Sequence, residues 1–404
     1  MNSRRVACRL EEPGIVCALG SGAFQVHARM MAGDTSGLRA ESGWLDGRSP
    51  ALAAVHEALP AFPSHLPAHL NSRNNRLLLA AALQIESRLR DAIARLGAAR
   101  VGIVLGTSTS GVNDNAAGFS ALASAGAWPP GHDYRRQALN APAEFLAAWL
   151  GITGPAYTLS TACTSSARAL LSSRRLLELE LCDAVVCGGA DSLCRLTING
   201  FSSLGAISET RCQPFSVHRA GISIGEAAVV FLMQRGVDSG QVALLGGAGS
   251  SDAWHMSSPA PNGAGAKQAM LAALADARLP AADVGWVNLH GTGTVLNDAM
   301  ESHAMHAIFS NGVACASTKG LTGHTLGAAG ALEAALAWLT LDPTRNPCGS
   351  LPPHAWDGNP DPTLPLLDLC DGSQRYATGR ARIAMSNSYA FGGNNVSLIL
   401  GAHA

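Results

Sequence analysis

The chain of 404 residues is long enough for two or three structural units at roughly 150 residues each. Charged residues make up 14% of it, against about 25% in ordinary soluble proteins, while apolar residues reach an average 47%. Lys plus Arg (28) nearly cancels Asp plus Glu (29), so there is no long-range field for nucleic acid or anionic lipid, and polyanion binding is excluded as the main activity.

The missing charge points to extensive buried surface, subunit interfaces included. Arg4, Arg5, Arg9, Glu11 and Glu12 interrupt the start where a signal peptide needs its apolar segment, and no stretch offers 18 consecutive apolar residues. A cytoplasmic protein with no membrane partner is expected. Ten cysteines without a CxxC pair fit neither a disulfide scaffold nor a zinc site. Most should be reduced, small, buried hydrophobes.

In chain order, apolar residues at Leu77, Leu78, Ala81, Ala82 and Ile85 predict a long helix over 75–96. A buried strand follows at 101–105. Helices are predicted near 141–150, 165–181, 264–279, 297–309 and 325–341. Strands are predicted near 156–160, 184–188, 227–233, 241–247, 284–289, 313–317, 382–386 and 395–400. The alternation argues for α/β architecture with covered parallel sheets. A repeat emerges. Strand 156–160, a helix, strand 184–188 and closing strand 227–233 match, in order, strand 313–317, a helix, strand 382–386 and closing strand 395–400. The boundary is placed near 236–240, giving halves 1–238 and 239–404. The Pro-rich stretch 342–371 is read as an ordered surface excursion.

Four segments carry chemistry. Cys163, in Ser160-Thr161-Ala162-Cys163-Thr164-Ser165-Ser166, stands where a strand meets a helix, and a helix N-terminus favours a nucleophilic thiolate. A buried thiol at a helix cap is the alternative. Asn288-Leu289-His290-Gly291-Thr292-Gly293-Thr294 runs from an apolar strand into a histidine and a hydroxyl-bearing turn, the kind of strand end where α/β sheets bind ligands. His290 is equally readable as a capped core histidine. Ser317-Thr318-Lys319-Gly320-Leu321-Thr322-Gly323-His324 repeats the pattern, and it lacks the spacing of a phosphate loop. Ser386-Asn387-Ser388-Tyr389-Ala390-Phe391-Gly392-Gly393 is either an aromatic turn with an exposed N–H for an oxyanion or a plain hairpin turn.

With these motifs in this order, the chain resembles the elongating, decarboxylative β-ketoacyl-acyl carrier protein synthases of the thiolase-fold superfamily. The resemblance is strong from Val101 through Leu400. It implies a duplicated α-β-α-β-α five-layer sandwich and a dimer. It also implies decarboxylative Claisen condensation of an acyl chain on Cys163 with malonyl-acyl carrier protein, in fatty acid or polyketide biosynthesis. His290 and His324 would stabilise the enolate oxygen, and the N–H groups of Cys163 and Phe391 would form the oxyanion hole. Lys319 would orient and support His324, with Glu301 as its acidic partner. Thr292 and Thr294 would hold the phosphopantetheine arm, which the carrier supplies; no tightly bound cofactor is implied. Phe391 would gate the acyl pocket, facing a loop with Asp252 and His255. Asn288, Glu333, Ser386 and Asn387 match a set that holds a monovalent cation in some relatives. Arg73, Arg76, Arg135 and Arg136 are candidate carrier contacts, or solvated surface charge.

Departures from the family pattern bear on the substrate. Gly293, Val295 and Asn297 replace Ser, Pro and Gly after the first histidine. Tyr389, Ala390 and Asn394 replace Phe, Gly and Thr in the last turn, and Thr109 replaces an aliphatic residue lining the acyl pocket. A more polar wall and a stiffer gate suggest a secondary pathway, such as aryl polyene synthesis, where the ketosynthase pairs with a chain-length partner as a heterodimer. A homodimer is the other arrangement. Three alternatives are weaker. A thiolase needs a second cysteine, and Cys348 and Cys370 sit in Pro-rich and acidic surroundings. A non-catalytic chain-length subunit would lack the nucleophile. A zinc hydrolase would need more than His303 and His306.

Overall fold

A computed structural model describes residues 7–402 of the chain. Arg4 and Arg5 lie outside the described residues. Val101–Gly106, the sequence VGIVLG, is buried at every position, as a strand covered on both faces must be. It pairs in parallel with Ala156–Leu159 on one side and Ala184–Asp191 on the other. Antiparallel Ala227–Arg235 follows, and beyond it antiparallel Gly14–Cys17.

The second sheet repeats this order. Trp286–Asn288 lies between parallel Ala314–Ala316 and Ile383–Tyr389. Antiparallel Asn394–Ala402 and then Val242–Ser251 complete it. The repeat seen in sequence therefore includes two earlier strands in each half: Val101–Gly106 corresponds to Trp286–Asn288, and Gly14–Cys17 to Val242–Ser251.

Two helices, Ser165–Glu178 and Ala329–Leu341, lie between the sheets, each packed against strands of both. The second is buried at all its positions, so it is apolar around its whole circumference except for Glu333 and Thr340. Their approach is close enough that a Cβ on Gly330 would come within 2.7 Å of the Ala167 nitrogen. Arg73–Leu83 covers the outer face of the first sheet and Ala264–Ala277 that of the second. The result is the five-layer α-β-α-β-α sandwich.

Two spans depart from expectation. The helix expected over 75–96 is two, Arg73–Leu83 and Glu86–Leu96. At the break the Gln84 amide turns to the Ile15 backbone, accepting its N–H at 2.9 Å and donating to its carbonyl at 3.0 Å. The stretch 342–371 is not confined to the surface. Leu351, His354 and Cys370 are buried in it, and His354 Nδ1 accepts the Ser317 N–H at 3.0 Å. Among the described residues no helix is long and apolar enough to cross a membrane. All the cysteines except Cys348 are buried.

Candidate active site

Cys163 is presented by a strained turn. Ala162 adopts a left-handed φ of 54°, a conformation residues with a Cβ rarely take. The next helical turn holds it there: the Ser165 N–H and hydroxyl both donate to the Ala162 carbonyl, at 3.0 and 2.6 Å. The Ser165 oxygen also accepts the Thr161 N–H at 2.9 Å. The run of Ser and Thr around the cysteine thus has a local purpose. Gly106 is required below it, because a Cβ there would lie 2.2 Å from the Ser166 nitrogen.

Burial opposes the anionic sulfur expected from the helix terminus: it pushes the Cys163 thiol up to about 12, against the opposing pull of Lys319 and the Phe391 N–H. The His324 Nε2 lies 3.0 Å from the sulfur.

His290 follows Trp286–Asn288, and its turn is held by two buried carboxylates from the helix Val295–Ile308. Glu301 accepts the N–H groups of His290 at 2.8 Å and Gly291 at 2.7 Å. Asp298 accepts those of Phe215 at 2.8 Å, Thr292 at 3.1 Å and Gly293 at 3.2 Å. Glu301 is therefore not the partner of Lys319, because both its oxygens are committed to backbone. The Lys319 ammonium is paired with Glu333 from the central helix. Nor does Lys319 contact His324: its Nζ is 3.3 Å from His290 Nδ1. An ammonium only donates, so Nδ1 accepts and the His290 proton sits on Nε2. Asp298 escaped the sequence reading; its position in the first turn of a helix after a Gly-rich turn was the available signal.

The rings of His290 and His324 meet edge to face, centroids 5.3 Å apart. Burial holds both imidazoles well below the ordinary histidine range, with Lys319 adding to the effect, so both are neutral. The sulfur of Cys163 and one nitrogen of each histidine lie within 4.8 Å of one another.

These three side chains line a cavity of about 360 Å³, together with Thr292, Thr294, Phe391 and Asp252. The Thr292 and Thr294 hydroxyls are 3.0 Å apart. The backbone N–H groups of Phe391 and Cys163 both favour negative charge on the Cys163 sulfur. The Phe391 ring rests on Phe201 at 5.3 Å. The Asp252 carboxylate is occupied by the Asn395 amide at 2.7 Å and the Ala260 N–H at 3.1 Å. His255 is exposed and off the wall, bonded to Ser257.

Other expectations are corrected. Thr109 is buried away from the cavity wall, its hydroxyl donating to Asp191 at 2.8 Å. The members of the candidate cation set have these partners. Glu333 serves Lys319, Asn288 bonds Thr318, and Asn387 turns to the opposite face of its strand, onto Ser397, Met270 and Met305. The fourth member, Ser386, keeps a buried hydroxyl without a partner. Arg73 pairs with Glu226, Arg76 with the Leu59 and Pro60 carbonyls, Arg135 with Asp133 and Arg136 with Asn115. Cys348 and Cys370 are off the cavity wall, and His303 and His306 are exposed.

Family comparison agrees with this geometry. Residues 60–239 match the β-ketoacyl synthase N-terminal domain and 242–347 the C-terminal domain. Nodulation protein E of Rhizobium sp. (strain N33) is 30% identical over 401 residues, 95% of this chain and 96% of that protein. 3-oxoacyl-[acyl-carrier-protein] synthase 2 of Synechocystis sp. (strain ATCC 27184 / PCC 6803 / Kazusa) is 32% identical over 62% of each chain. Among solved structures, a chain from the complex of the ketosynthase ApeO with its chain length factor ApeC from Xenorhabdus doucetiae superposes with a TM-score of 0.91, at 46% identity over 98% of both chains. The ishigamide ketosynthase/chain length factor gives 0.84 at 28% identity, over 99% of this chain and 100% of that one. The chain belongs to the β-ketoacyl synthase family and is an acyl-transferring, carbon–carbon bond-forming enzyme of the thiolase fold.

Proposed function

We propose that Cys163, His290 and His324 carry out a decarboxylative condensation in which each has a distinct task. The observation that carries this reading is their convergence on one cavity, with a lysine fixing one imidazole tautomer. The acyl group of a carrier thioester passes to the Cys163 sulfur. The thiol proton leaves through His324 Nε2 and the carrier thiol is released. The Cys163 and Phe391 N–H groups receive the oxyanion; losing one such donor typically costs about 10²–10³ in rate.

Malonyl-carrier then enters and loses CO₂, and the electron pair moves onto its thioester oxygen. His290 Nε2–H stabilises that oxygen as a neutral donor, and so does His324 once its ring proton has moved from Nδ1 to Nε2. The enolate carbon attacks the acyl-Cys163 carbonyl, and the sulfur leaves as a thiolate that takes up a proton from solvent. The product is a β-ketoacyl-carrier thioester two carbons longer. Thr292 and Thr294 bind the phosphopantetheine arm supplied by the carrier, and Phe391 gates the pocket. The catalytic halves are 1–238, with the nucleophile, and 239–404, with the histidines and lysine.

The partner is a chain-length subunit in a cytoplasmic heterodimer, and the product is a conjugated chain of the aryl polyene kind. The likeness to ketosynthase and chain length factor complexes supports this reading. The intact cysteine and histidines favour the catalytic subunit over its non-catalytic counterpart. Incubation with saturated and conjugated acyl-carrier thioesters, followed by the mass of the Cys163 peptide, tests nucleophile and substrate together. Preferential loading of conjugated chains is the expected result; preference for saturated chains overturns the polyene assignment, and an unmodified Cys163 overturns the mechanism.

A further inference from the structure

We infer that Asp191 is a positioning residue for His324, acting across the junction of the two halves. Asp191 ends the fully buried strand Ala184–Asp191, and it has no cationic partner among the described residues. N–H and O–H donors alone meet its carboxylate. Oδ1 accepts the hydroxyls of Thr107 at 2.6 Å and Thr109 at 2.8 Å, and the N–H groups of Ser108 and Thr109, both at 2.8 Å. Oδ2 accepts the Ser108 hydroxyl at 2.5 Å and reaches into the second half to accept the Gly327 N–H at 2.6 Å.

Gly327 lies three residues after His324, and the link between them is strained. Leu326 holds a left-handed φ of 49°, a conformation that persists only where surrounding bonds enforce it. A Cβ on Gly327 would lie 2.7 Å from Asp191 Oδ2, so the carboxylate and the glycine fit only each other. The imidazole has no fixing bond of its own on the far side, because His324 Nδ1 is buried without a partner. Its direction toward Cys163 is therefore set by its backbone. That backbone is anchored before the ring by the Ser223 carbonyl, at 2.6 Å from the His324 nitrogen, and after it by Asp191 through Gly327. Asp191 thus transmits the position of the 107–109 loop to the imidazole that meets the nucleophile.

The inference rests on the proposed function only in calling His324 catalytic, and a double-mutant cycle tests it separately. The readout is the rate at which iodoacetamide alkylates Cys163, followed by peptide mass, which needs no acyl substrate. Asp191→Asn should slow alkylation about tenfold in the otherwise native protein and less than about twofold when His324 is already Ala, because coupled residues are non-additive. Equal factors in both backgrounds would mean a general structural role and overturn the inference. Ser108→Ala, which removes one donor to Oδ2, gives a milder version of the same cycle should Asp191→Asn not fold. In condensation assays Asp191→Asn should lower kcat with little change in KM for malonyl-carrier. If the native protein takes up no acyl group, the proposed function fails while the alkylation cycle still reports the coupling.

Discussion

Lys319 donates to His290 Nδ1 across 3.3 Å while its charge is neutralised by Glu333 from the buried central helix. The pair does two things at once: it fixes the tautomer that points Nε2–H into the cavity, and it keeps the imidazole neutral. Lys319→Met should therefore reduce malonyl decarboxylation about 10²-fold, the scale of losing one oriented donor. It should also destabilise the fold by up to about 3 kcal/mol, because Glu333 loses its buried partner. Without the downward pull of Lys319, burial lifts the Glu333 carboxyl still further and it takes up a proton in the folded chain, so the loss should be smaller at pH 6 than at pH 8. Lys319→Met/Glu333→Gln should recover stability without recovering decarboxylation. Thermal denaturation beside CO₂ release separates the two effects.

A thiol pushed up to about 12 is almost wholly protonated at neutral pH. Alkylation of Cys163 by iodoacetamide should then accelerate about tenfold per pH unit between 8 and 10, with no plateau. A plateau near pH 7 would show a resting thiolate and refute the neutral pair with His324.

Gly393, in the turn that carries Phe391, has φ 76°, and a Cβ there would lie 2.9 Å from the Asp252 Cβ. Gly393→Ala should cost about 1–3 kcal/mol. It should also slow acylation of Cys163, because the Asp252 N–H bonds the Gly393 carbonyl at 2.8 Å and holds the gate loop in register. Acylation kinetics at a temperature where the variant is folded check the second effect; a normal rate would detach the gate from the Asp252 contact.

The duplicated order of elements was legible along the chain, and the three site motifs stood out because each lies where a local pattern changes at a strand end; their shared role came from the resemblance. What misled the sequence reading was long-range. Glu301 and Glu333 both sit on helices near the site, and spacing alone cannot say which meets Lys319. The better clue was Glu333 as the only charged residue in AGALEAALAWLTL, a helix buried throughout. The helix-terminus argument for a thiolate weighed a local dipole without the desolvation that only the packed structure reveals. Thr109 was placed on the pocket wall by resemblance, yet Asp191, eighty-two residues away in sequence, draws its hydroxyl elsewhere. No sequence pattern marks such a bond.

The pH dependence of stability should change sign near pH 6.5. Burial lifts Glu301 from 4.5 to about 8 and Glu333 from 4.5 to about 7, so the folded chain keeps protons that the unfolded chain releases. That stability is present at low pH and is lost as pH rises toward those values. His290 and His324 act oppositely: their folded values are depressed, so their contribution is present above the unfolded value of 6.5 and is lost as pH falls below it. Between pH 6.5 and 8 the unfolded histidines finish losing their protons, and the two glutamates, which give up theirs in the folded chain over this interval, set the sign of the slope. The melting temperature should therefore decline across that interval and level off above it. Glu301→Gln keeps an acceptor for the His290 N–H but turns an amide toward Gly291, so it should melt lower at pH 6.5 and show a flatter decline to pH 8. Melting curves of both proteins at half-unit steps provide the check, and a native melting temperature that rises from pH 6.5 to 8 would mean that the backbone N–H donors, rather than burial, govern Glu301.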